Sequence, residues 1–379
     1  MQQILQWETW LLATVAVFVA AWLTQIIYLL QFFRSIAMKP IKTISDPTEW
    51  EPVSVIVCAR NEEKNLRENI PAIMDQDYPN FEVIVVNDSS WDDTEAILTA
   101  FHVHFPNLRI VTLDEEKQNL QGKKFALTLG IKAAKNKILL LTDADCVPAS
   151  RNWIRDMVRP LQEDTEIVIG FSPYLQYPGW LNRIIRFDTL MIGLSYMGLA
   201  KAGKPYMGIG RNLCYTRDLF FKVGGFKRHY NLSSGDDDLF INEVADSRNT
   251  EIVFDPESQT ESEPKKTWTT WFAQKKRHLT TSPRYKSLHK SLLAIWPFSY
   301  VLMLTSFGLC VGFQTGMLLV SSMLFVRYVL QIAILHGSSK NLAQGKDLVW
   351  LAPILELHLL FLNVGLYFSN LVRRPQKWN

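Results

Sequence analysis

The distribution of apolar residues divides the chain into membrane-like ends and a polar middle. The segment 9–33 carries no charge, and at about 1.5 Å per residue it can cross a bilayer core of ~30 Å. We interpret it as a retained anchor, because it is too long for a signal-peptide core and no small-residue cleavage site follows it. Three further apolar stretches, 291–312, 315–335 and 348–371, lie near the end of the sequence.

Two other periodicities alternate between these ends. Runs rich in Val, Ile and Leu are typical of strands buried on both faces of a parallel sheet, and helix-patterned segments separate them. This alternation predicts an α/β domain with a mostly parallel, doubly wound sheet and helices on both faces, whose ligands bind at the carboxyl ends of the strands. The predicted strands are 53–60, 81–88, 109–113 and 137–145, and the predicted helices are 62–76, 94–105 and 123–135.

After residue 170 the alternation gives way to amphipathic segments. The stretches 178–205, 216–225 and 237–249 have helical patterns, and 250–256 has the pattern of a late strand. The stretch 265–279 mixes tryptophan with lysine and arginine, as an amphipathic helix on an anionic membrane surface does. We therefore divide the chain into an N-terminal transmembrane anchor (1–35), a soluble domain (50–260), a basic interfacial segment (261–290) and a C-terminal membrane region of about three apolar segments (291–379).

The flanking charges predict the orientation in the membrane. Arg34, Lys39 and Lys42 follow the first apolar segment, eight Lys and Arg residues lie within 265–290, and the turn FQT between the second and third segments has none. The positive-inside rule then places 34–290 in the cytoplasm. Four full crossings would leave the basic tail, with Arg373, Arg374 and Lys377, outside. Either the tail is an exception, or one C-terminal segment is re-entrant or lies in the interface.

Composition and charge refine this picture only slightly. The 379 residues carry a formal net charge of +3, and 48% are apolar, so charge excludes no class of partner. Cys58, Cys146, Cys214 and Cys310 show no paired spacing, and three of them fall in the cytoplasmic block. We expect reduced thiols and no zinc site.

Polar side chains follow the predicted strands where ligands are expected. Asp143 and Asp145 are two residues apart, so in extended geometry their side chains project to the same side, about 6–7 Å apart. Such carboxylates suit Mg²⁺ or Mn²⁺, although Asp-rich turns are also common. Asp88 can accept from a base or ribose or simply cap a helix. Lys123 and Lys124 can meet a phosphate or be solvated.

Three adjacent aspartates occur in SGDDDLF at 234–240. Adjacent carboxylates repel, and this is tolerated on a solvated face or at a working site. Acidic residues also stabilise a helix N-terminus through its dipole, which accounts for two of the three charges. In the apolar segment 348–371, Glu356 and His358 face either an acceptor passage or each other and Arg327.

Taken in order, VSVIVCARNEEKNL, FEVIVVNDSSWDDT, GKKFAL, LLLTDADCVP, GIGRNLCYTRDLF, SGDDDLF and QKKRH resemble the motifs of family 2 glycosyltransferases, membrane-bound inverting enzymes with a GT-A fold. The resemblance covers about residues 50–280. It implies transfer of a sugar from a nucleotide diphosphate sugar, usually a UDP-sugar, with Mg²⁺ or Mn²⁺ as cofactor. By this resemblance the donor nucleotide meets Ala59, Arg60, Asn61, Glu62 and Asp88, the metal meets Asp143 and Asp145, the acceptor side includes Gly210, Arg211 and Asn212, and Gln274 and Arg277 lie near the donor diphosphate. We also assign Lys123 to the donor site, because its amine can meet a phosphate.

The resemblance leaves the catalytic base open between two aspartates. Aligning Asp-Asp-Leu with the family's Glu-Asp-x-Asp-Leu makes the base Asp236, and aligning Gly-Asp-Asp makes it Asp237. We favour Asp236 narrowly, because the Asp-Leu pair then opens a helix whose apolar residues continue the family pattern. His278, on the acceptor side, replaces the tryptophan that processive polymer synthases carry after Arg277.

We therefore expect a glycosyltransferase integral to the cell membrane, with its catalytic domain facing the cytoplasm. Its expected partners are a nucleotide-sugar donor, a lipid or membrane-associated glycan acceptor and membrane lipids, with no nucleic acid. A processive polysaccharide synthase is the first alternative, and a non-catalytic nucleotide-sugar-binding scaffold on the same fold is the second.

Overall fold

The computed structural model describes residues 2–38, 45–114, 122–162, 164–232 and 234–372. Lys39, Lys42 and the tail 373–379, used above for the orientation, lie outside the described residues. The helices are α1 (Gln2–Tyr28), continued by a π-helical turn (Leu29–Phe33) into α2 (Arg34–Ala37), α3 (Glu63–Met74), α4 (Thr94–His104), α5 (Lys123–Ala133), α6 (Trp153–Val158), α7 (Trp180–Lys201), α8 (Arg217–Lys222), α9 (Asp238–Val244), α10 (Trp268–His278), α11 (Ser287–Gly312), α12 (Met317–Asn341) and α13 (Asp347–Val372). The strands are β1 (Val53–Ala59), β2 (Phe81–Asp88), β3 (Leu108–Leu113), β4 (Ile138–Asp143), β5 (Cys146–Pro148), β6 (Ile167–Ile169), β7 (Leu213–Thr216), β8 (Thr250–Ile252) and β9 (Thr260–Ser262).

A seven-stranded sheet forms the centre of the soluble domain, in the order β3-β2-β1-β4-β7-β6-β8. The strands β3, β2, β1 and β4 are parallel neighbours, and β7 runs antiparallel to both β4 and β6. A separate two-stranded sheet pairs β5 with β9. The prediction of a mostly parallel sheet is confirmed. The sequence pattern missed β5, β6, β7 and β9, because strands of three or four residues are too short to show a period.

Alternation along the central strands covers both faces of the sheet. Val55 and Val57 of β1 pack in one buried cluster with residues of α3, α4 and α6. Ile56 of β1 and Ile84 of β2 point to the other side, where they pack with α5 and α7. Successive side chains of a strand face opposite ways, so each run of apolar residues supplies both layers. The parallel direction then brings the ends of β1, β2 and β4 to one edge.

Four helices are long and apolar enough to cross a membrane, and they correspond to the four predicted apolar segments. They are Thr9–Ala37, Ser287–Gly312, Met317–Asn341 and Asp347–Asn370. One buried cluster joins α1, α11 and α12 through Phe18, Met303 and Val320, with Leu360 of α13 packed at its side. The segments α1, α11 and α12 therefore form a three-helix bundle.

A buried ion pair joins α12 to α13. Arg327 donates to both carboxylate oxygens of Glu356 at 2.7 Å, and Gln331 and Gln25 complete the network. Removing either partner of such a pair leaves an uncompensated buried charge, which typically costs about 3–5 kcal/mol. Of the two alternatives for Glu356, the structure shows pairing with Arg327. His358 instead packs between the rings of Trp180 and Trp268.

Helix α13 contacts the soluble domain at its start and the helix α10 of the interfacial segment near its end. At its start Asp347 accepts hydrogen bonds from Arg186 of α7 at 3.0 and 3.1 Å. Near its end the side-chain amide of Asn370 donates to the carbonyl of Lys276 in α10, at 3.2 Å. A straight helix of 24 residues is about 36 Å long. The helix therefore extends from its contact with α7 to its contact with α10.

Candidate active site

The loops that follow β1 and β2 are tied together at the carboxyl edge of the sheet. Asn61 adopts a positive φ of 56°, and its backbone amide donates to the Ser90 hydroxyl at 2.9 Å. Its side-chain oxygen accepts from the amide of Trp91 at 3.0 Å. Ala59 of β1 and Asn87 of β2 are register partners. The residues that follow them, Arg60 and Asp88, therefore also lie at this edge. The predicted nucleotide-binding residues are thus brought together.

Three carboxylates lie at the neighbouring end of β4. Burial raises the pKa of Glu62, and the charges of Asp145 and Asp143 act in the same direction. Burial and the charge of Asp143 likewise raise the pKa of Asp145. This mutual repulsion shows that the site would be stabilised by a cation. Among the described residues no group of three or more His, Cys, Asp or Glu side chains forms a metal cage by itself. The donor set fits Mg²⁺ or Mn²⁺ shared with substrate phosphates.

Lys123, the first residue of α5, connects this carboxylate group to the aspartate run. Its ammonium nitrogen lies 2.7 Å from Asp143 and 3.3 Å from Asp236. A Cβ added to Gly210 would lie 3.5 Å from both the Lys123 nitrogen and an Asp237 oxygen. Asp143, Lys123, Gly210 and the aspartates therefore converge, although they come from four separate parts of the sequence.

The side chain of Asp238 has a structural role. Its carboxylate is 7% exposed and accepts from Thr281, from the Tyr285 hydroxyl at 2.7 Å and from the amide of Leu239 at 2.7 Å. These hydrogen bonds compensate the burial of the charge and fix α9 against the segment after α10. The third aspartate of the run is therefore engaged in holding the fold.

Asp236 and Asp237 differ in charge partner and in access. Asp236 is 7% exposed. Burial acts to raise its pKa, but the positive charges of Lys123 and Lys124 outweigh this and the pKa is lowered. Asp237 is half-buried, and its oxygens accept from the amides of Gly210 and Asp238 at 2.8 and 2.7 Å. Burial, together with the charges of Asp236 and Asp238, raises the pKa of Asp237 to about 7.

Lys124 positions the aspartate run by holding the loop that precedes it. Its ammonium group donates to the carbonyl oxygens of His229, Leu232 and Ser234 at 2.6, 3.1 and 2.7 Å. All three ammonium hydrogens are thus used by the loop that precedes Asp236, so Lys124 is neither solvated nor directed to a phosphate. No local pattern predicts this role, because the three carbonyls lie more than 100 residues away along the chain.

The three residues predicted for the acceptor side have different environments. Gly210 lies beside Asp237, and the guanidinium of Arg211 stacks over the ring of Tyr174 at 4.3 Å. Asn212 is buried; its side-chain oxygen accepts from Trp153, and its amide donates to the carbonyls of Phe171 and Ser258. The Asn212 side chain therefore joins scaffold elements, while Gly210 and Arg211 lie at the site.

Helix α10 brings the last predicted residues to the same region. The amide of Gln274 donates to the hydroxyl of Tyr174 at 3.3 Å, beneath Arg211. Lys275 anchors the helix through an ion pair with Asp188 of α7 at 2.7 Å. Arg277 has no ion pair within the part of the chain that the structure describes, and His278 is exposed. The anchoring pair was missed, because nothing in the sequence links 188 to 275.

Comparisons with known proteins agree with this geometry. The family model described as Glycosyl transferase family 2 matches residues 54–224. Glycosyltransferase AglE of Haloferax volcanii is 29% identical over 191 residues, which are 48% of this chain and 58% of that protein. An uncharacterized glycosyltransferase of Haemophilus influenzae is 36% identical over 144 residues, which are 38% of this chain and 41% of the relative. The chain thus spans about half the length of these relatives.

A solved structure shows the same fold over most of the chain. The mannosyltransferase PcManGT from Pyrobaculum calidifontis, solved in complex with GDP-Man and Mn²⁺, superposes with a TM-score of 0.57 at 20% sequence identity. The superposition covers 87% of this chain and 97% of that structure. The soluble domain accordingly has the GT-A fold, and its residues 54–224 match the model of glycosyl transferase family 2.

Proposed function

We propose that the protein is a membrane-bound inverting glycosyltransferase. It moves a sugar from a nucleotide diphosphate sugar, with a UDP-sugar as the expected donor, to a hydroxyl of a lipid or membrane-associated glycan. The observation that carries the proposal is the convergence of Asp143, Lys123, Gly210 and Asp237 at the carboxyl edge of the sheet. This arrangement places Asp143, which with Asp145 would bind the metal cation, beside Asp237, a carboxylate that can take a proton.

Asp237 is proposed as the catalytic base. A sugar-accepting hydroxyl is a poor nucleophile at neutral pH, so a carboxylate must remove its proton during attack. Asp237 is more accessible than Asp236, and its pKa near 7 gives it higher basicity. Asp236 forms an ion pair with Lys123 and acts as a positioning residue. This reverses the narrow preference for Asp236 drawn from the sequence.

The reaction is a single displacement. The acceptor oxygen attacks the anomeric carbon from the side opposite the diphosphate, and the bond from this carbon to the diphosphate oxygen breaks. The hydroxyl proton passes to Asp237, and the nucleoside diphosphate departs with the electron pair. One displacement inverts the configuration of the anomeric carbon.

The negative charge of the leaving group is balanced by this chain's own cations and by a metal. Asp143 and Asp145 would hold Mg²⁺ or Mn²⁺, which when bound supplies charge stabilisation for the diphosphate. Lys123 lies within reach of the same group, and Arg277 lies on the helix that Gln274 attaches to the site. Fixed donors of this kind stabilise a developing charge without reorganising.

The proposal is tested with membranes that contain the full chain and a panel of radiolabelled nucleotide sugars, with Mn²⁺ or with EDTA. We expect metal-dependent transfer, a loss of at least about 100-fold in Asp237→Asn, and a smaller loss in Asp236→Asn. A wild-type preparation that binds a donor but never releases or transfers its sugar would favour the scaffold alternative. A product of many sugar units would favour the processive alternative.

A further inference from the structure

A large apolar cavity lies next to the active site, between α1, α7, α11 and α13. Its volume is about 530 Å³, within the range of about 300–1,000 Å³ that is typical of pockets for small organic ligands. Each helix supplies aliphatic or aromatic side chains, among them Tyr28, Ile192, Leu293, Trp296 and Leu359. The cavity is distinct from the carboxylate site, whose residues do not line it.

The wall of the cavity is electrically neutral. Its two carboxylates are Asp188, which pairs with Lys275, and Glu356, which pairs with Arg327. The hydroxyl of Tyr28 donates to the carbonyl of Leu292, so its ring rather than its polar group is available. A charged occupant would be desolvated here without a partner, whereas a hydrocarbon would not. The lining therefore fits an uncharged apolar chain.

One side of the cavity is formed by residues that are also exposed on the outside of the protein. Val364, Tyr367 and Phe368 line the cavity and are 47%, 62% and 61% exposed. They continue an exposed apolar stripe on α13 that includes Ile354 and Phe361. Exposed apolar surface of this kind faces lipid in a membrane protein. The cavity is therefore reached from the lipid phase.

The other side of the cavity adjoins the aspartate run. Tyr206 lines the cavity, and its ring centroid lies 5.8 Å from that of Tyr285. The Tyr285 hydroxyl donates to Asp238, the residue next to Asp237. Asp188 lies on the same wall and holds α10, which carries Gln274 and Arg277. The cavity and the active site thus share a wall.

We propose that this cavity binds the hydrocarbon chain of the acceptor, with the hydroxyl-bearing end directed toward Asp237. The inference rests on the proposed function and narrows its acceptor from a lipid or a membrane-associated glycan to a lipid. The hydrocarbon chain enters beside Val364 and Phe368 and lies between α7 and α11. The shape of the cavity, rather than charge, then selects the acceptor.

The test uses the full chain in phosphatidylcholine nanodiscs and hexadecanol with a photoactivatable diazirine in mid-chain as the probe. After irradiation, peptide mass mapping locates the labelled residues. We expect the label on the cavity-lining parts of α7 and α11. Leu293→Trp and the milder Ile192→Phe fill the cavity and should lower this labelling at least tenfold. Phe298→Trp is the matched control, because Phe298 lies on α11 but is 65% exposed and outside the cavity.

Donor binding, measured in the same variants by equilibrium dialysis with a radiolabelled nucleotide sugar, separates the two proposals. Lost labelling and lost transfer to lipid in Leu293→Trp, with donor binding and thermal stability kept, would support the cavity as the acceptor site. Equal labelling of the cavity and of outer helix faces would overturn it. Unchanged transfer to a water-soluble glycan in Leu293→Trp would refute the lipid acceptor and leave the transferase standing. A labelled cavity in a chain that never turns over a donor would remove the proposed function alone.

Discussion

At the scale of single residues, three adjacent aspartates have three different environments. Asp238 is held by Thr281 and Tyr285, Asp236 forms an ion pair with Lys123, and Asp237 keeps a raised pKa with partial access to solvent. Their mutual repulsion is offset for two of them and retained for the third. The remaining repulsion raises the pKa of Asp237 and makes it a better base, because a carboxylate of ordinary pKa is a weak proton acceptor at neutral pH.

The pKa of Asp237 predicts the pH dependence of the reaction. A base works when deprotonated, so kcat/KM should rise with pH through about pH 7 and level off above it. Asp236→Asn removes a negative charge that raises this pKa, so its rising limb should move to lower pH. The measurement is kcat/KM against pH at saturating Mn²⁺, with the exposed Asp246→Asn as a control that keeps the wild-type profile. A limb that stays in place in Asp236→Asn would contradict the assignment.

The hydrogen bond from Tyr285 to Asp238 predicts a stability effect separate from catalysis. Tyr285→Phe leaves a buried carboxylate with one donor fewer, which should lower the free energy of unfolding by about 1–3 kcal/mol. The exposed Tyr177→Phe should change it by less than about 0.5 kcal/mol. Thermal unfolding in detergent measures both. A stable Tyr285→Phe with impaired turnover would instead indicate a direct role for this hydroxyl.

At the scale of elements, the position of α13 bears on the basic tail, which four full crossings would place outside the cell against the positive-inside rule. The sequence left two explanations, an exception to the positive-inside rule or a C-terminal segment that is re-entrant or lies in the interface. The contacts of Asp347 with α7 and of Asn370 with α10 favour the second explanation. A helix that crossed the bilayer would end about 30 Å from the soluble domain. Instead its exposed residues Trp350, Ile354, Leu357 and Phe361 recur at helical spacing on one side, as in a helix embedded in the interface.

This arrangement predicts three crossings, by α1, α11 and α12, with the residues after α13 on the side of the soluble domain. Green fluorescent protein, which fluoresces only in the cytoplasm, should be bright when joined after residue 379. A fusion within the turn 313–316 between α11 and α12 should be dark, and it serves as the matched control. A dark fusion after residue 379 would show that α13 spans the membrane.

At the scale of the molecule, the sequence pattern predicts local structure well and distant contacts poorly. The strands β1, β2, β3 and β4 and the carboxyl-edge residues followed from hydrophobic runs, because burial on both faces of a sheet leaves a local signature. The contacts of Lys124 with the loop before Asp236, and of Lys275 with Asp188, have no local signature in the sequence. They join residues 87 to 110 positions apart, and their partners are backbone carbonyls or an ordinary carboxylate.

The same limit affects the domain boundaries. The sequence pattern separates a soluble domain at 50–260 from the membrane region, yet one buried cluster includes Ile56 of the sheet, Leu190 of α7, Leu335 of α12 and Leu355 of α13. The membrane region and the soluble domain therefore share a hydrophobic core. Cutting the chain at residue 260 would expose the part of that core that α12 and α13 cover.

We therefore expect a fragment of residues 45–265 to aggregate rather than form a soluble monomer, because exposed apolar patches of this extent drive association. Size-exclusion chromatography of the fragment, alongside the full chain in detergent, measures this. Adding mild detergent should restore a monomer if the apolar face of α7 is the cause, and Leu190→Lys within the fragment should reduce aggregation. A monomeric fragment that binds a nucleotide sugar without detergent would show that the soluble domain folds independently of α12 and α13.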